Sequence, residues 1–369
     1  MADPRIEKLA QLIVEYSTAV REGDRVHIRG TSLAEPLLKE IYARVLQAGG
    51  QPLMMVSLPG IEELFFKHAS VDQLKYIPKP IEMIAETYDV RITIISDGNT
   101  KSLSRVDPAK VVMQQQAQAG LVKTFMRRSS TGELRWTVAP FPTNAYAQDA
   151  EMGLGEYEDF VYTACMPDMD DPVGYWKKFS ARQQKLVDQL KGKHQIHVKG
   201  PETDLRFGVT GRNFLNCDGH FNMPDGEVFT GPVEDTMEGR VFFSYPAIHD
   251  GREVTGVRLW FEKGKVVKAT ADKNEAYLNA MLDTDEGSRR VGEFAIGTNE
   301  GIDRFTREIL FDEKIGGSFH MALGAGYPET GSKNESSIHW DMICDLRKSG
   351  EILVDGELLY RNGKFVSDS

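Results

Sequence analysis

Apolar side chains recur at helical spacing near the start of the chain, at Ile6, Leu9, Leu12, Ile13, Tyr16 and Val20, and the polar REGD that follows marks a turn into the short strand RVHIRG. A second helix is predicted from Ser32: Ser32 and Glu35 have the spacing of a capping box, and Leu37, Leu38, Ile41 and Val45 form an apolar face until Gly49 and Gly50 stop it. PLMMVSL and VRITIIS at 90–96 read as strands, and a helix from Asp107 through Leu121 leads to the strand-like LRWTVAPFP. Strands alternating with helices predict parallel βαβ units, so the first half is expected to be a Rossmann-like α/β domain. The junction GTSLAEP has neither the GxGxxG spacing nor a phosphate-gripping lysine and reads as an ordinary strand-to-helix connection.

Between 142 and 172 the pattern breaks into a segment rich in Asp, Glu, Pro and Gly, after which Trp176, Phe179, Leu186 and Leu190 mark one more amphipathic helix. The boundary is placed near residue 190, giving domains 1–190 and 191–369. Beyond it the signals become short strands and hairpins: HQIHVKG, DLRFGVT, RVFFSYPAI, GVRLWFEKGKVVKATA with a KGK turn, and GEILVDGELLYRNGKFVS. Only 273–284 and 302–314 read as helices there. The second half is therefore expected to be an α+β, strand-rich, barrel-like domain.

Composition narrows the function classes. At 369 residues with 41% hydrophobic and 27% charged side chains the chain is that of an ordinary globular protein, and a formal charge of −11 without a basic run argues against a nucleic-acid partner. Cys165, Cys217 and Cys344 are odd in number and scattered, which suggests neither a disulfide framework nor a thiolate metal site and fits a reducing cytoplasm. Charges at Asp3, Arg5, Glu7, Lys8 and Glu15 interrupt the first twenty residues, so no secretory leader or membrane span is expected there.

Candidate chemistry concentrates in the second half, where six of the eight histidines lie. In SSIHWDMICDLR a strand would aim His339 and Asp341 to one face and Ile338, Trp340 and Met342 to the other. Such a pair suits half of a divalent-cation site, and equally a hydrogen-bonded pair that ties a sheet together. Upstream, GSFHMALGAGYPETG carries His320 on a short strand and leads through a glycine-rich turn to Tyr327, while Glu313 in FDEKIGGSFH stands at a helix end. The PDG turn in NMPDGEVFTGPVED places Glu227 at the start of an apolar run, and Glu293 sits inside VGEFAIG. A carboxylate facing a sheet interior is costly unless paired, and a metal is one efficient partner. Four carboxylates, Glu227, Glu293, Glu313 and Asp341, would balance two divalent cations.

At NMPDGEVFTGP, GEFAIGTN, HMALGAGY and HWDM, in this order, the sequence resembles the M29 family of metallo-aminopeptidases, the aminopeptidase T and S group, and the resemblance covers nearly the whole chain. It implies a pair of divalent ions, of zinc, cobalt or manganese type, held by Glu227, Glu293, His320, His339 and Asp341 with Glu293 bridging. It further implies that Tyr327 assists catalysis and that Glu313 lies near the metals as ligand or base. The substrates implied are short peptides with a free N-terminus, and the assembly a homodimer. A rival with fewer ligands is a mononuclear Fe(II) ring-cleaving enzyme resembling 2,5-dihydroxypyridine dioxygenase, for which His320, His339 and Asp341 would suffice. A third reading is a non-catalytic peptide-binding protein in which these residues order the sheet.

Overall fold

In the computed structural model, which describes residues 3–249 and 251–366, the chain divides into two compact units. One holds the residues up to Trp176 together with Gly219–Pro224, the other Lys177–Asp218 and Asp225 onward. In the first unit Val26 and Ile28 are fully buried on one face of β1 (Arg25–Thr31), and His27 and Arg29 alternate with them. β1 lies between β2 (Gln51–Ser57) and β3 (Val90–Ile95), and β4 (Arg135–Pro140) completes a four-stranded parallel sheet of order β2-β1-β3-β4. The helices α1 (Pro4–Leu12) and α2 (Glu35–Gln47) pack together, α2 also covering β1 and β2 with Leu37, Leu38, Ile41 and Val45.

Two local details differ from the sequence reading. The Ser32–Glu35 capping box does not form: Ser32–Ala34 is a 3-10 turn that begins at Thr31, whose hydroxyl accepts from the Leu33 amide at 3.3 Å. The α-helix starts only at Glu35, where Pro36, lacking an N–H, suits a first turn. The helix expected to end at Leu121 runs from Pro108 to Ser130, because VKTFMRRSS contains neither glycine nor proline to stop it.

The second unit is built from antiparallel strands: β5 (Gln195–Gly200), β6 (Thr203–Gly208), β7 (Leu215–Cys217), β8 (Glu227–Thr230), β9 (Glu238–Phe242), β10 (Ala247–His249), β11 (Arg252–Val254), β12 (Arg258–Glu262), β13 (Lys265–Thr270), β14 (Val291–Gly297), β15 (Ser318–Gly324), β16 (His339–Asp345), β17 (Glu351–Val354), β18 (Glu357–Arg361) and β19 (Lys364–Phe365). They form an eight-stranded sheet, β13-β12-β9-β6-β5-β17-β18-β19, a five-stranded sheet, β16-β15-β14-β8-β7, and the hairpin β10-β11. The sheets bury apolar faces against each other, with Phe207 of β6 4.9 Å from Phe294 of β14 between ring centroids. Among the described residues no strand pairing joins the two outermost strands of either sheet. Two open sheets, rather than the barrel-like closure expected, therefore enclose this core.

Of the expected helices, 273–284 contains Glu275–Leu282, but 302–314 is helical only at Ile309–Asp312. Arg307 there takes a left-handed backbone with φ 64°, which interrupts any helix through it. No described helix is long and apolar enough to cross a membrane.

Candidate metal centre

The pleat of the five-stranded sheet sorts its side chains. Phe294 and Ile296 of β14, Phe319, Met321 and Leu323 of β15, and Trp340 and Met342 of β16 join the core. Glu293, His320, His339 and Asp341 take the alternate positions, and in the register Glu293 stands opposite Ala322, which stands opposite Asp341, while His320 opposes Ala295. Alanine and glycine at these intervening positions keep the space above the sheet free for the polar side chains. On the other side of β14, Glu227 opens β8 opposite Gly297.

Two of the glutamates follow glycines that admit no side chain. A Cβ on Gly292 would stand 2.2 Å from the Ala325 carbonyl oxygen and 2.5 Å from that of Gly324, so only glycine permits the bulge by which β14 enters the site. Gly226 has φ 127°, and a Cβ there would meet the Asn299 side chain at 2.8 Å. Gln183 steadies the neighbouring backbone, its Nε2 donating to the carbonyls of Glu227 at 2.9 Å and Cys217 at 2.8 Å.

The structure brings the predicted donors together. His320 Nε2 lies 3.4 Å from Glu227 Oε2 and 3.7 Å from Glu293 Oε1; His339 Nε2 lies 3.3 Å from Glu293 Oε2 and 3.6 Å from Asp341 Oδ1. Glu227, Glu293 and His320 form one cluster of mutually close donors, Glu293, His339 and Asp341 a second, and Glu293 belongs to both. Glu313 joins His320 and Asp341 in a third. Each imidazole is oriented from behind: Nδ1 of His320 donates to the Glu313 carbonyl and Nδ1 of His339 to the Ala325 carbonyl, both at 2.9 Å. A carbonyl can only accept, so Nδ1 carries a proton and Nε2 is the nitrogen that faces the cluster, able to coordinate a cation once its own proton is displaced.

Electrostatics expose an incomplete balance. Burial pushes the Glu227 carboxyl up to about 8, against the attraction of Lys314. Burial likewise raises Asp341 to about 6, although both histidines oppose it. Glu293 is buried too, but the attraction of His320 and His339 outweighs that and holds it at about 2. Burial lowers the imidazoles, yet Glu293, with the other carboxylates, overrides it and lifts His320 to about 10 and His339 to about 9. Oε2 of Glu227 and Oδ1 of Asp341 are buried without a hydrogen-bond partner.

Divalent cations fit this set. The donors are oxygen and imidazole nitrogen, and atoms that share one ion at about 2.0–2.2 Å lie roughly 3–3.5 Å from each other. The nearest donor pairs here, at 3.3 and 3.4 Å, fall in that range and are longer than ordinary hydrogen bonds, and the pairs at 3.6 and 3.7 Å lie just beyond it. A cation would also satisfy the two stranded oxygens.

Sequence reasoning missed one member. Lys314 is fully buried, its ammonium paired with the Glu313 carboxylate and close to Glu227 and Asp225; burial works against its charge, and these carboxylates more than restore it. The adjacent letters of FDEKIGG give no signal for this, because which carboxylates face Lys314 depends on β8. Tyr327 stands at the edge, 37% exposed, its ring 5.2 Å from that of His339 and 5.5 Å from that of Phe229. The protein around it and the nearby carboxylates raise its phenol, so at neutral pH it is a hydroxyl donor.

Buried carboxylates and back-supported imidazoles on the five-stranded sheet, in a chain that also carries a parallel α/β unit, make a candidate centre for divalent cations. The chain belongs to the thermophilic metalloprotease (M29) family, whose profile matches residues 2–365. It is 27% identical to aminopeptidase T of Thermus thermophilus, an alignment that covers 97% of this chain and 95% of that one. The solved structure of wild-type AmpT from Thermus thermophilus superposes with a TM-score of 0.87 at 26% identity, over 98% of this chain and 99% of the other. 2,5-Dihydroxypyridine dioxygenase from Pseudomonas putida KT2440 superposes with a TM-score of 0.62 at 13% identity, over 98% and 97%, a likeness of fold alone.

Proposed function

We propose that this metallo-aminopeptidase removes the N-terminal residue from short unblocked peptides, using water activated at a pair of divalent cations of zinc, cobalt or manganese type. The observation that carries this reading is that Glu293 turns one oxygen to His320 and the other to His339, and so joins two sets of donors. Glu227, Glu293 and His320 would hold one cation and Glu293, His339 and Asp341 the other, with Glu293 serving both. Ions bound there would supply Lewis acidity, which polarises a scissile carbonyl and lowers the pKa of water towards neutral. Glu313, kept beside the cluster by Lys314, accepts the proton of the attacking water and passes it to the departing amine. Tyr327 donates its hydroxyl to the oxyanion that develops on the substrate. His320 and His339 keep their orientation through the carbonyls behind them. Residues 191–369 are the catalytic domain in this reading. The enzyme works in a reducing cytoplasm, as its three free cysteines suit, and as a homodimer, as the family resemblance implies.

A single iron would need only the two imidazoles and Asp341, and would leave Glu227 and Glu293 buried without purpose. Chelated protein should lose, and cobalt, zinc or manganese should restore, release of the first residue from unblocked peptides, with two ions bound per chain. Equal cleavage of N-acetylated peptides, or one ion per chain at full activity, would refute the proposal.

A further inference from the structure

The strand order β2-β1-β3-β4 reverses its winding between β1 and β3: the chain leaves β1 for β2 on one side and then returns to β3 on the other. Beyond the carboxyl ends of two such strands the connecting loops part, which is where open parallel sheets bind ligands. A cavity of about 1720 Å³ lies there, reaching Gly30 and Thr31 at the end of β1 and Ser96 and Asp97 just past β3. It belongs entirely to the first unit and shares no residue with the metal cluster.

The lining of this cavity carries basic groups that no carboxylate neutralises among the described residues. His27 and Arg29 alternate along β1, and His27 pairs in register with Arg91 of β3. Among the described residues no carboxylate forms an ion pair with Arg29 or Arg91, including Glu62, Glu63, Asp72 and Asp97 of the same lining; Asp97 instead accepts from the Tyr146 hydroxyl at 2.9 Å. The Arg91 guanidinium lies 5.2 Å from the centroid of the Phe125 ring. His27 is 7% exposed and its Nε2 has no hydrogen-bond partner. Burial, aided by the charge of Arg29, lowers Arg91 to about 10, and burial with both arginines lowers His27 to about 4. Arg29 is exposed, whereas holding the half-buried Arg91 without a carboxylate beside a buried, unsatisfied imidazole costs stability, and an anion seated between the two arginines offsets that cost. Ile84, Leu121 and Phe125 give the same cavity apolar walls.

We propose that this cavity binds a small amphipathic organic anion, its carboxylate or phosphate group gripped by Arg29 and Arg91 over His27 and its apolar body laid against Phe125 and Leu121. Guanidinium groups favour both headgroups for the same reason, charge-assisted hydrogen bonds to planar or clustered oxygens. The site does not depend on the peptidase reading, and binding is measured on the full chain whatever its activity.

The experiment is calorimetric titration with 3-phenylpropionate, phenyl phosphate and the neutral 3-phenylpropionamide, on the wild type and on Arg29→Gln, Arg91→Gln and Arg91→Lys. At least one anion should saturate the protein and bind at least about tenfold more tightly than the amide, and each Gln variant should weaken it about tenfold, the loss of one charge-assisted contact. Arg91→Lys, which keeps the charge, should fall between wild type and Arg91→Gln. Preference for the carboxylate identifies an acid such as a peptide product, and preference for phenyl phosphate a phosphate ester. No saturation by either anion, equal affinity for the amide, or undiminished binding in both Gln variants would overturn the proposal.

Discussion

Glu293 joins the two halves of the cluster, since its two oxygens face different histidines. Glu293→Gln keeps the shape and removes the charge, so bound metal and peptide release should both fall, activity by more than about 100-fold. Full metal content at full rate would exclude it as a ligand. Tyr327→Phe tests a different role: removal of one oxyanion donor lowers kcat about 10²–10³-fold, with metal content unchanged, and an undiminished kcat would take the hydroxyl out of the reaction. Lys314→Met strips the buried partner from Glu313 and from the neighbourhood of Glu227 and Asp225. Breaking a buried pair in this way costs about 3–5 kcal/mol, and the fall in Tm should be largest in chelated protein, where no other cation faces these carboxylates.

At the scale of elements, the site depends on how β14 and β16 are held. Gly292→Ala touches no donor, yet its methyl would collide with the carbonyls of Gly324 and Ala325, and the latter orients His339. Overpacking of this kind costs about 1–3 kcal/mol, and metal affinity should drop with it; a variant that binds metal like the wild type would show that the bulge does not set the geometry. The approach to β16 is tied by Asp285, which accepts from the Ser288 amide at 2.9 Å, the Ser336 hydroxyl at 2.8 Å, and the Ser337 amide and hydroxyl at 2.7 Å. What burial it has would raise its carboxyl, but these donors prevail and hold it well below its ordinary value of 3.8. The unfolded chain titrates near that ordinary value, so the tie contributes fully above it and is lost as acid protonates the folded protein. The Tm gap between wild type and Asp285→Asn should therefore be open at neutral pH and close as pH falls below 3.8; a gap that ignores pH would mean the charge is not what ties the loop. The strands around these positions were legible because alternation is local: Trp340 and Met342 turn inward and His339 and Asp341 do not. The helix start near Ser32 and the break within 302–314 are not legible in the same way, because Pro36 and the left-handed Arg307 act on backbone geometry that hydrophobic spacing does not report.

For the whole molecule, cations that bind the folded chain and not the unfolded one must stabilise it by mass action, by about 2.7 kcal/mol at a hundredfold excess over Kd. Adding cobalt, zinc or manganese to chelated protein should raise Tm, and the rise should vanish in Glu293→Gln. A Tm indifferent to metal would contradict the cluster as a cation site. Sequence alone determined the alternation of strands and helices in the first half, the change to hairpins in the second, and which carboxylates and imidazoles stood where apolar residues were expected. These are properties of neighbours along the chain, set by backbone period and by the cost of burying charge. Only the tertiary structure decided that the ends of β8, β14, β15 and β16 meet, that Lys314 completes their charge, that two open sheets rather than a closed one enclose the core, and that His27, Arg29 and Arg91 share a cavity. Each of these depends on strand register between distant segments, and register is fixed by how whole faces pack, which no local window of sequence contains.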